Sequence, residues 1–391
     1  MRIVGNVLVV LLAFSCMFFG VAESQEAENA LEAQEMLERT DAILPNVTAR
    51  SAVVMEARTG RVLYSRNMKA MRFPASTTKA MTLIVALEKG NLDDIVTVSG
   101  NAAGTEGSTL WLEEGKKIRL EDLLYGIIMR SGNDGTVAVA EHIAGSVDAF
   151  ARMMTEKARE IGAADTFFVN PHGLPDERHY TTAYDMALIA SYGYRNPVFA
   201  DIVKTKEKTI PWSEDPTEFW RSENQMLWLY DGANGVKTGY TDAAGRCLVS
   251  GAERDGIQLV SVVLDSIYMW NDSIAMLDYG FAHVKPQREV NGGEIVGNLP
   301  VLSGRRKQVP VRTASDIVVP VCDNGDAGYS KVFDLPNALH APVEAGDVVG
   351  TVRVMYEGRE VGSTDLVATE SVEVKSFFVT LYQLAKKYHM I

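Results

Sequence analysis

Apolar spacing changes character along this 391-residue chain, and the order of those changes limits the fold more than any other feature. Ala52 to Met55 and Val62 to Tyr64 are short apolar runs separated by Ala57-Arg58-Thr59-Gly60, which predicts a β-hairpin. From Ser76 to Glu88 the spacing becomes helical, with Ala80, Leu83, Ile84 and Leu87 on one face. Helical patterns continue at 120–129, 134–145, 148–161 and 182–192. After Gly239 strands return, Cys247 to Ser250 and Gln258 to Leu264 around an Asp255-Gly256 turn, followed by a helix to about Phe281. Strands at both ends with helices between predict an α/β (α+β) domain over 49–285. Its antiparallel sheet, built from both chain ends, packs on a helical cluster. Beyond Lys285 only short Val-rich runs remain (295–302, 308–312, 316–321, 348–356, 360–368). They predict a small all-β module over 286–371, a sandwich or barrel.

The two ends read differently. Residues 1–22 carry Arg2 as their only charge, an apolar run from Val7 to Phe19, and Gly20-Val21-Ala22 as a small-x-small cleavage site. That order predicts a secretory signal peptide, the alternative being an uncleaved anchor helix. Phe14 and Ser15 fit a lipid-attachment pattern at Cys16 poorly. The chain is thus expected outside the cytoplasm, on the outer face of the cytoplasmic membrane. Residues 23–48 are an acidic lead-in. At the other end, 372–391 are expected to form an amphipathic helix. Phe377, Leu381, Leu384, Ala385 and Tyr388 share one face, with Lys375, Lys386, Lys387 and His389 supplying cations. Such a helix lies on a membrane surface or packs on its own β-module. With 38 Lys+Arg against 51 Asp+Glu, a net charge of −13 excludes nucleic acid as the main partner. Cys247 and Cys322 are too far apart for a disulfide framework and are expected as buried inert thiols. The scattered histidines indicate no metal.

Ser76-Thr77-Thr78-Lys79 opens a helix after Pro74, so the Lys79 amine can reach the Ser76 hydroxyl. Serine is a weak nucleophile until a base takes its proton, and a lysine held neutral can be that base. Alone the match is weak, an N-cap serine beside a surface lysine being the plain alternative. Lys237-Thr238-Gly239 offers a cation, a hydroxyl and a bare backbone on a strand edge, suited to an extended peptide and its carboxylate. S-x-N occurs at Ser65, Ser99, Ser131 and Ser222; Ser131-Gly132-Asn133 is preferred because a helix–helix turn aims both groups rigidly.

In this order, and with the flanks Phe73-Pro74-Ala75 and Gly235-Val236 before the first and third motifs and Tyr240-Thr241 after the third, the set resembles the penicillin-recognising serine enzymes. Among them it is similar to the D-alanyl-D-alanine carboxypeptidases, the low-molecular-weight penicillin-binding proteins. The resemblance implies no cofactor, a peptidoglycan stem peptide as substrate and β-lactams as inhibitors. It implies Ser76 as nucleophile, Lys79 as base, and Ser131 as proton relay. Asn133 would bind the substrate amide, Lys237, Thr238 and Gly239 its terminus, and the backbone of Ser76 and Tyr240 the oxyanion. The segment from Asn170 to Leu174, with His172, resembles the family's loop beside the cleft, which Asp185 would help order. Many relatives carry an arginine between the positions of Ile257 and Val284; this chain has none there, and Arg246 is the candidate substitute. A β-lactamase, a D,D-endopeptidase and a non-catalytic wall-binding protein are the rival readings. Glu177 lacks the phrase that a β-lactamase's deacylating glutamate requires.

Overall fold

A computed structural model describes residues 44–213, 215, 217–322, 328–375, 381–382 and 385–387. The expected signal peptide and most of the acidic lead-in lie outside these residues. The chain divides at Pro45 into two units, and the described residues fall almost wholly in the second, Asn46–Ile391.

The first hairpin joins β1 (Ser51–Glu56) and β2 (Val62–Arg66). Two short pairs follow within the helical region: β3 (Ile95–Thr97) with β4 (Lys117–Arg119), and β5 (Glu207–Thr209) with β6 (Phe219–Arg221). Then come β7 (Ala233–Thr241), β8 (Gly245–Arg254) and β9 (Ile257–Ser266). The main sheet has the order β2-β1-β9-β8-β7, antiparallel throughout, so both chain ends contribute as expected. The β8–β9 turn is made at Asp255 and Gly256, both with positive φ.

The strands of the main sheet are covered by helices on both sides, where a single helical cluster was expected. Their apolar runs do not alternate with polar residues, because both faces of the sheet are covered. Val53, Met55, Cys247, Val249, Val260 and Val262 face a core shared with the helical cluster. Their neighbours Val54, Leu248, Leu259 and Val263 face a second core with Met276 and Leu277 of the helix Met269–Ala282. The sheet therefore lies between two helical layers.

Beyond it, β10 (Val284–Val290) carries the chain into the second module. There β11 (Ile295–Leu302), β12 (Gln308–Thr313), β13 (Ile317–Cys322), β14 (Tyr329–Asp334), β15 (Leu339–His340), β16 (Val348–Tyr356) and β17 (Arg359–Ala368) follow. Six of them form one sheet, β14-β16-β17-β12-β11-β15, and β10 pairs with β13 as a separate ribbon. Val290, Val309, Ile317, Val319, Val352, Val354 and Leu366 form a core of their own between ribbon and sheet. Across the junction, the Arg58 guanidinium donates to the carbonyl of Val318 (2.9 Å).

Cys247 is fully buried and burial pushes its thiol up to about 12, which makes it inert. Cys322 is only half-buried near the junction, contrary to expectation, because β13 lies in a two-stranded ribbon with incomplete cover. The expected C-terminal helix does not begin at 372: residues 372–375 are extended, with Val372 bridged to Val343 and Val374 to Gly304 of the β-module, while Leu381, Tyr382 and 385–387 are helical. Among the described residues no helix is long and apolar enough to cross a membrane.

Candidate active site

Pro74 cannot donate a backbone hydrogen bond, and after it the chain turns through Ala75 at φ +47 into a 3₁₀ turn, Ala75–Thr78. Thr77 closes the turn by donating its hydroxyl to the Pro74 carbonyl (2.6 Å). The helix Lys79–Lys89 continues from there. A 3₁₀ start has a consequence for the motif, since residues three apart eclipse in that geometry and Ser76 is thereby stacked over Lys79.

Lys79 is fully buried. Its Nζ lies 2.9 Å from Ser76 Oγ, 2.7 Å from Asn133 Oδ1 and 2.8 Å from the carbonyl oxygen of His172. Burial holds the ammonium well below the usual lysine range, and repulsion from Lys237 lowers it further. A neutral lysine has two N–H bonds and one lone pair. The His172 carbonyl can only accept. Asn133 Oδ1 also accepts, because its amide nitrogen is committed to the Glu106 carbonyl (2.6 Å). Those two acceptors take both N–H bonds, and the lone pair is left for the Ser76 hydroxyl.

The second motif joins the helices Leu120–Arg130 and Asn133–Ala144. Ser131 ends the first helix with φ +60 and is buried. Ala75 and Ser131 are both non-glycine residues in the left-handed region, which costs on the order of 1–2 kcal/mol each and is characteristic of functional turns. Asn133 donates its backbone N–H to the Ser108 carbonyl (2.7 Å). Asp134, which the motif reading left without a role, fastens the facing loop. Its carboxylate accepts from the Thr109 hydroxyl (2.6 Å) and from the N–H groups of Leu110 and Leu112 (3.0 Å each).

The third motif lies on β7, an edge strand of the main sheet. Lys237 is buried, donates to the Thr238 carbonyl (3.1 Å) and hydroxyl (3.3 Å), and is pushed down to about 8 by burial. Gly239 lets this edge close on the nucleophile: a Cβ there would stand 2.9 Å from the Ser76 nitrogen and 3.0 Å from that of Thr77. Tyr240 is exposed and donates its hydroxyl to Asp242 (2.8 Å). Arg246 pairs across from Tyr240 on β8, solvent-exposed, with its guanidinium 5.9 Å from the tyrosine ring.

The loop from 170 to 174 closes the remaining side. Gly173, at φ +91, passes so close that a Cβ would overlap the Ala75 carbonyl at 1.8 Å. His172 reaches the site through its backbone rather than its ring. Burial pushes the imidazole down to about 3, and its Nδ1 accepts from the Leu174 N–H (3.2 Å). The carboxylate of Asp185 accepts from the Asp165 N–H and the Thr166 hydroxyl (2.8 Å each), which ties the loop's approach to the helix Ala183–Gly193. His179 went unnoticed in the sequence; it bonds the Thr78 hydroxyl directly behind the nucleophile's turn (2.9 Å).

The other S-x-N matches sit elsewhere. Ser65 is exposed on β2, the opposite edge of the sheet from β7. Ser99 caps the short helix Gly100–Ala103, and Ser222 accepts from the N–H of Asn224. Among the described residues no group of His, Cys, Asp and Glu could hold a metal ion.

A family model described as D-alanyl-D-alanine carboxypeptidase matches residues 38–267, more than half of the chain. The chain belongs to that family. A second model, penicillin-binding protein 5, C-terminal domain, matches residues 287–374. The carboxypeptidase DacF of Bacillus subtilis is 32% identical over 342 residues, 85% of this chain and 87% of its own. A peptidoglycan synthesis regulatory factor (PBP3) from Streptococcus pneumoniae superposes with TM-score 0.67 at 27% identity, over 84% of this chain and all of the other. A D-alanyl-D-alanine carboxypeptidase from Mycobacterium tuberculosis superposes with TM-score 0.60 at 29% identity, over 62% of this chain and 95% of its own.

Proposed function

We propose that Ser76 is the nucleophile of a serine D-alanyl-D-alanine carboxypeptidase that removes the terminal D-alanine from peptidoglycan stem pentapeptides. The observation that carries this is the buried Lys79 amine, 2.9 Å from Ser76 Oγ with both N–H bonds committed elsewhere. The lone pair takes the hydroxyl proton as Oγ attacks the carbonyl of the penultimate D-alanine. Charge developing on that oxygen meets the backbone N–H groups of Ser76 and Tyr240, which the close approach at Gly239 brings towards one point. Ser131 relays that proton from Lys79 to the departing D-alanine nitrogen as the C–N bond breaks. Lys237 and Thr238 hold the terminal carboxylate, and the free N–H and lone pair of the Asn133 amide bond the substrate backbone. Water then releases the shortened peptide from Ser76. A β-lactam stalls at the acyl-enzyme because its leaving group stays attached.

D-Alanine release from a diacylated Lys-D-Ala-D-Ala peptide by residues 23–391 tests the assignment. Ser76→Ala is expected to abolish release while leaving the melting temperature within about 2 °C, since the hydroxyl supplies little packing. Release that survives in Ser76→Ala sinks it.

The enzyme works at the outer face of the cytoplasmic membrane in this reading, exported by residues 1–22 and held by the segment after Lys375. Lys386, exposed beside the exposed Leu381 and Tyr382, supports a surface-lying helix. Deleting 375–391 is expected to move the protein from the membrane pellet to the supernatant with its activity unchanged. Continued sedimentation with membranes would refute the anchor.

A further inference from the structure

We propose that the aromatic groove beside Arg130 and the Ser131 turn is a subsite for the glycan strand of peptidoglycan. The inference rests on reading the chain as a peptidoglycan carboxypeptidase and extends that reading to the part of the substrate away from the scissile bond.

The groove encloses about 490 Å³ and runs between the 109–112 loop and the β5–β6 hairpin. Trp111 forms one wall, 84% exposed. Its exposure is built in. The residue sits at φ +59, and its N–H bonds Thr109 Oγ1 (2.9 Å), whose hydroxyl in turn bonds the buried carboxylate of Asp134. The neighbouring N–H groups of Leu110 and Leu112 bond the same carboxylate. An indole is thus held in water by a fixed scaffold, which hydrophobic burial alone would oppose. Facing it, Phe219 on β6 is 56% exposed, and Trp212 is braced edge-on against Trp220, ring centroids 4.9 Å apart at 70°.

Between the rings stand polar groups of both kinds. The Lys116 ammonium lies 5.9 Å from the Trp212 ring, Arg130 is exposed at the end of its helix, and the exposed carboxylate of Glu218 is an acceptor. A pyranose needs this mixture. Its C–H faces lie against aromatic rings, while hydroxyl and N-acetyl groups at its rim require separate donors and acceptors. A protein docking surface would be poorer in lysine and glutamate at its centre.

Position favours the same ligand. Arg130 adjoins Ser131, and Leu110 on the groove floor packs directly on Gly132. Four stem residues separate the sugar from the scissile bond, an extended reach of about 14 Å. The groove adjoins the Ser131 turn, and the proposal requires that reach to span from it to Ser76 within one molecule.

The test compares kcat/KM for D-alanine release from a disaccharide-pentapeptide and from the same pentapeptide without sugar. The wild type is expected to favour the disaccharide form by about fivefold or more. Trp111→Ala and Phe219→Ala should each bring that ratio to about one. A wild-type ratio of one, or a preference that survives both substitutions, overturns the subsite while leaving the carboxypeptidase reading in place. Calorimetric titration of Ser76→Ala with stem-free strands of alternating N-acetylglucosamine and N-acetylmuramic acid separates the two claims. Heat that is lost on adding Trp111→Ala supports the subsite even if neither peptide is cleaved. No heat from Ser76→Ala overturns it.

Discussion

Two buried lysines share this cleft, and the charge on Lys237 makes Lys79 harder still to protonate than burial alone does. Lys79 has no anion in direct contact and must be neutral to accept the Ser76 proton, and its lowered position serves that purpose. Lys237, pushed down to about 8, must instead be charged to hold a carboxylate. The two requirements predict a bell-shaped pH profile of kcat/KM. On the acid side the rate falls as Lys79 gains a proton. On the alkaline side it falls as Lys237 loses one, with an apparent midpoint near 8 in the free enzyme. A bound carboxylate favours the charged amine, so the alkaline limb should be weaker or absent in kcat alone. Lys237→Arg keeps its charge at every accessible pH. It is expected to move the alkaline limb up by more than about one unit, even though the bulkier guanidinium lowers the rate roughly tenfold. An unchanged limb in Lys237→Arg would assign that titration to another group.

At the scale of elements, apolar spacing located the hairpin and the central helices, and the Asp255-Gly256 pair located the β8–β9 turn. The three motifs were legible because they are carried by side chains. The rest of the site was hidden for a physical reason: much of it is backbone. The His172 carbonyl that accepts from Lys79 leaves no mark on residue type. Neither does the left-handed turn at Ala75, which is imposed by packing and not by a glycine. Asp134 directly follows the second motif, but its role depends on a loop more than twenty residues earlier. Arg246, the candidate substitute for the missing arginine, stands on β8 opposite Tyr240 and faces solvent, and its contact is with that ring and not with Lys237 or Thr238. Gly239 joins the legible part to the hidden part, since the residue type was plain and the 2.9 Å approach was not. Gly239→Val would force β7 away from the 3₁₀ turn by roughly an ångström, a displacement of the size that costs about 100-fold in rate. Edge position limits the damage to stability to about 1–2 kcal/mol. The expected result is a protein that melts within several degrees of the wild type but acylates with a β-lactam about 100-fold more slowly. Normal acylation by Gly239→Val would mean that the edge does not need this close approach.

On the scale of the whole molecule, all three motifs of the proposed site lie in the first module. The two cores around the main sheet contain no residue beyond Val284, and the core of the β-module contains none before Val290. The Mycobacterium carboxypeptidase, which this chain matches over its first module's share of the length, is itself a chain of that size. Ending the protein after Lys285 keeps Val284 in the core around the Met269–Ala282 helix and removes the Arg58–Val318 hydrogen bond across the junction. That bond alone is worth about 1 kcal/mol, and Arg61 of the same hairpin acts on Tyr329 and Tyr356 across the junction, so the melting temperature is expected to fall by at least about 2–4 °C. Residues 46–285 are therefore expected to fold alone and to release D-alanine from a soluble peptide with kcat/KM within about threefold of the full chain. Loss should appear instead on intact wall material, where a catalytic domain without its β-module and terminal helix has nothing to hold it at the substrate. A truncated protein that is folded but inactive on the soluble peptide would show that the β-module braces the cleft, through the hairpin that carries Arg58 and the β1 strand that opens the sheet.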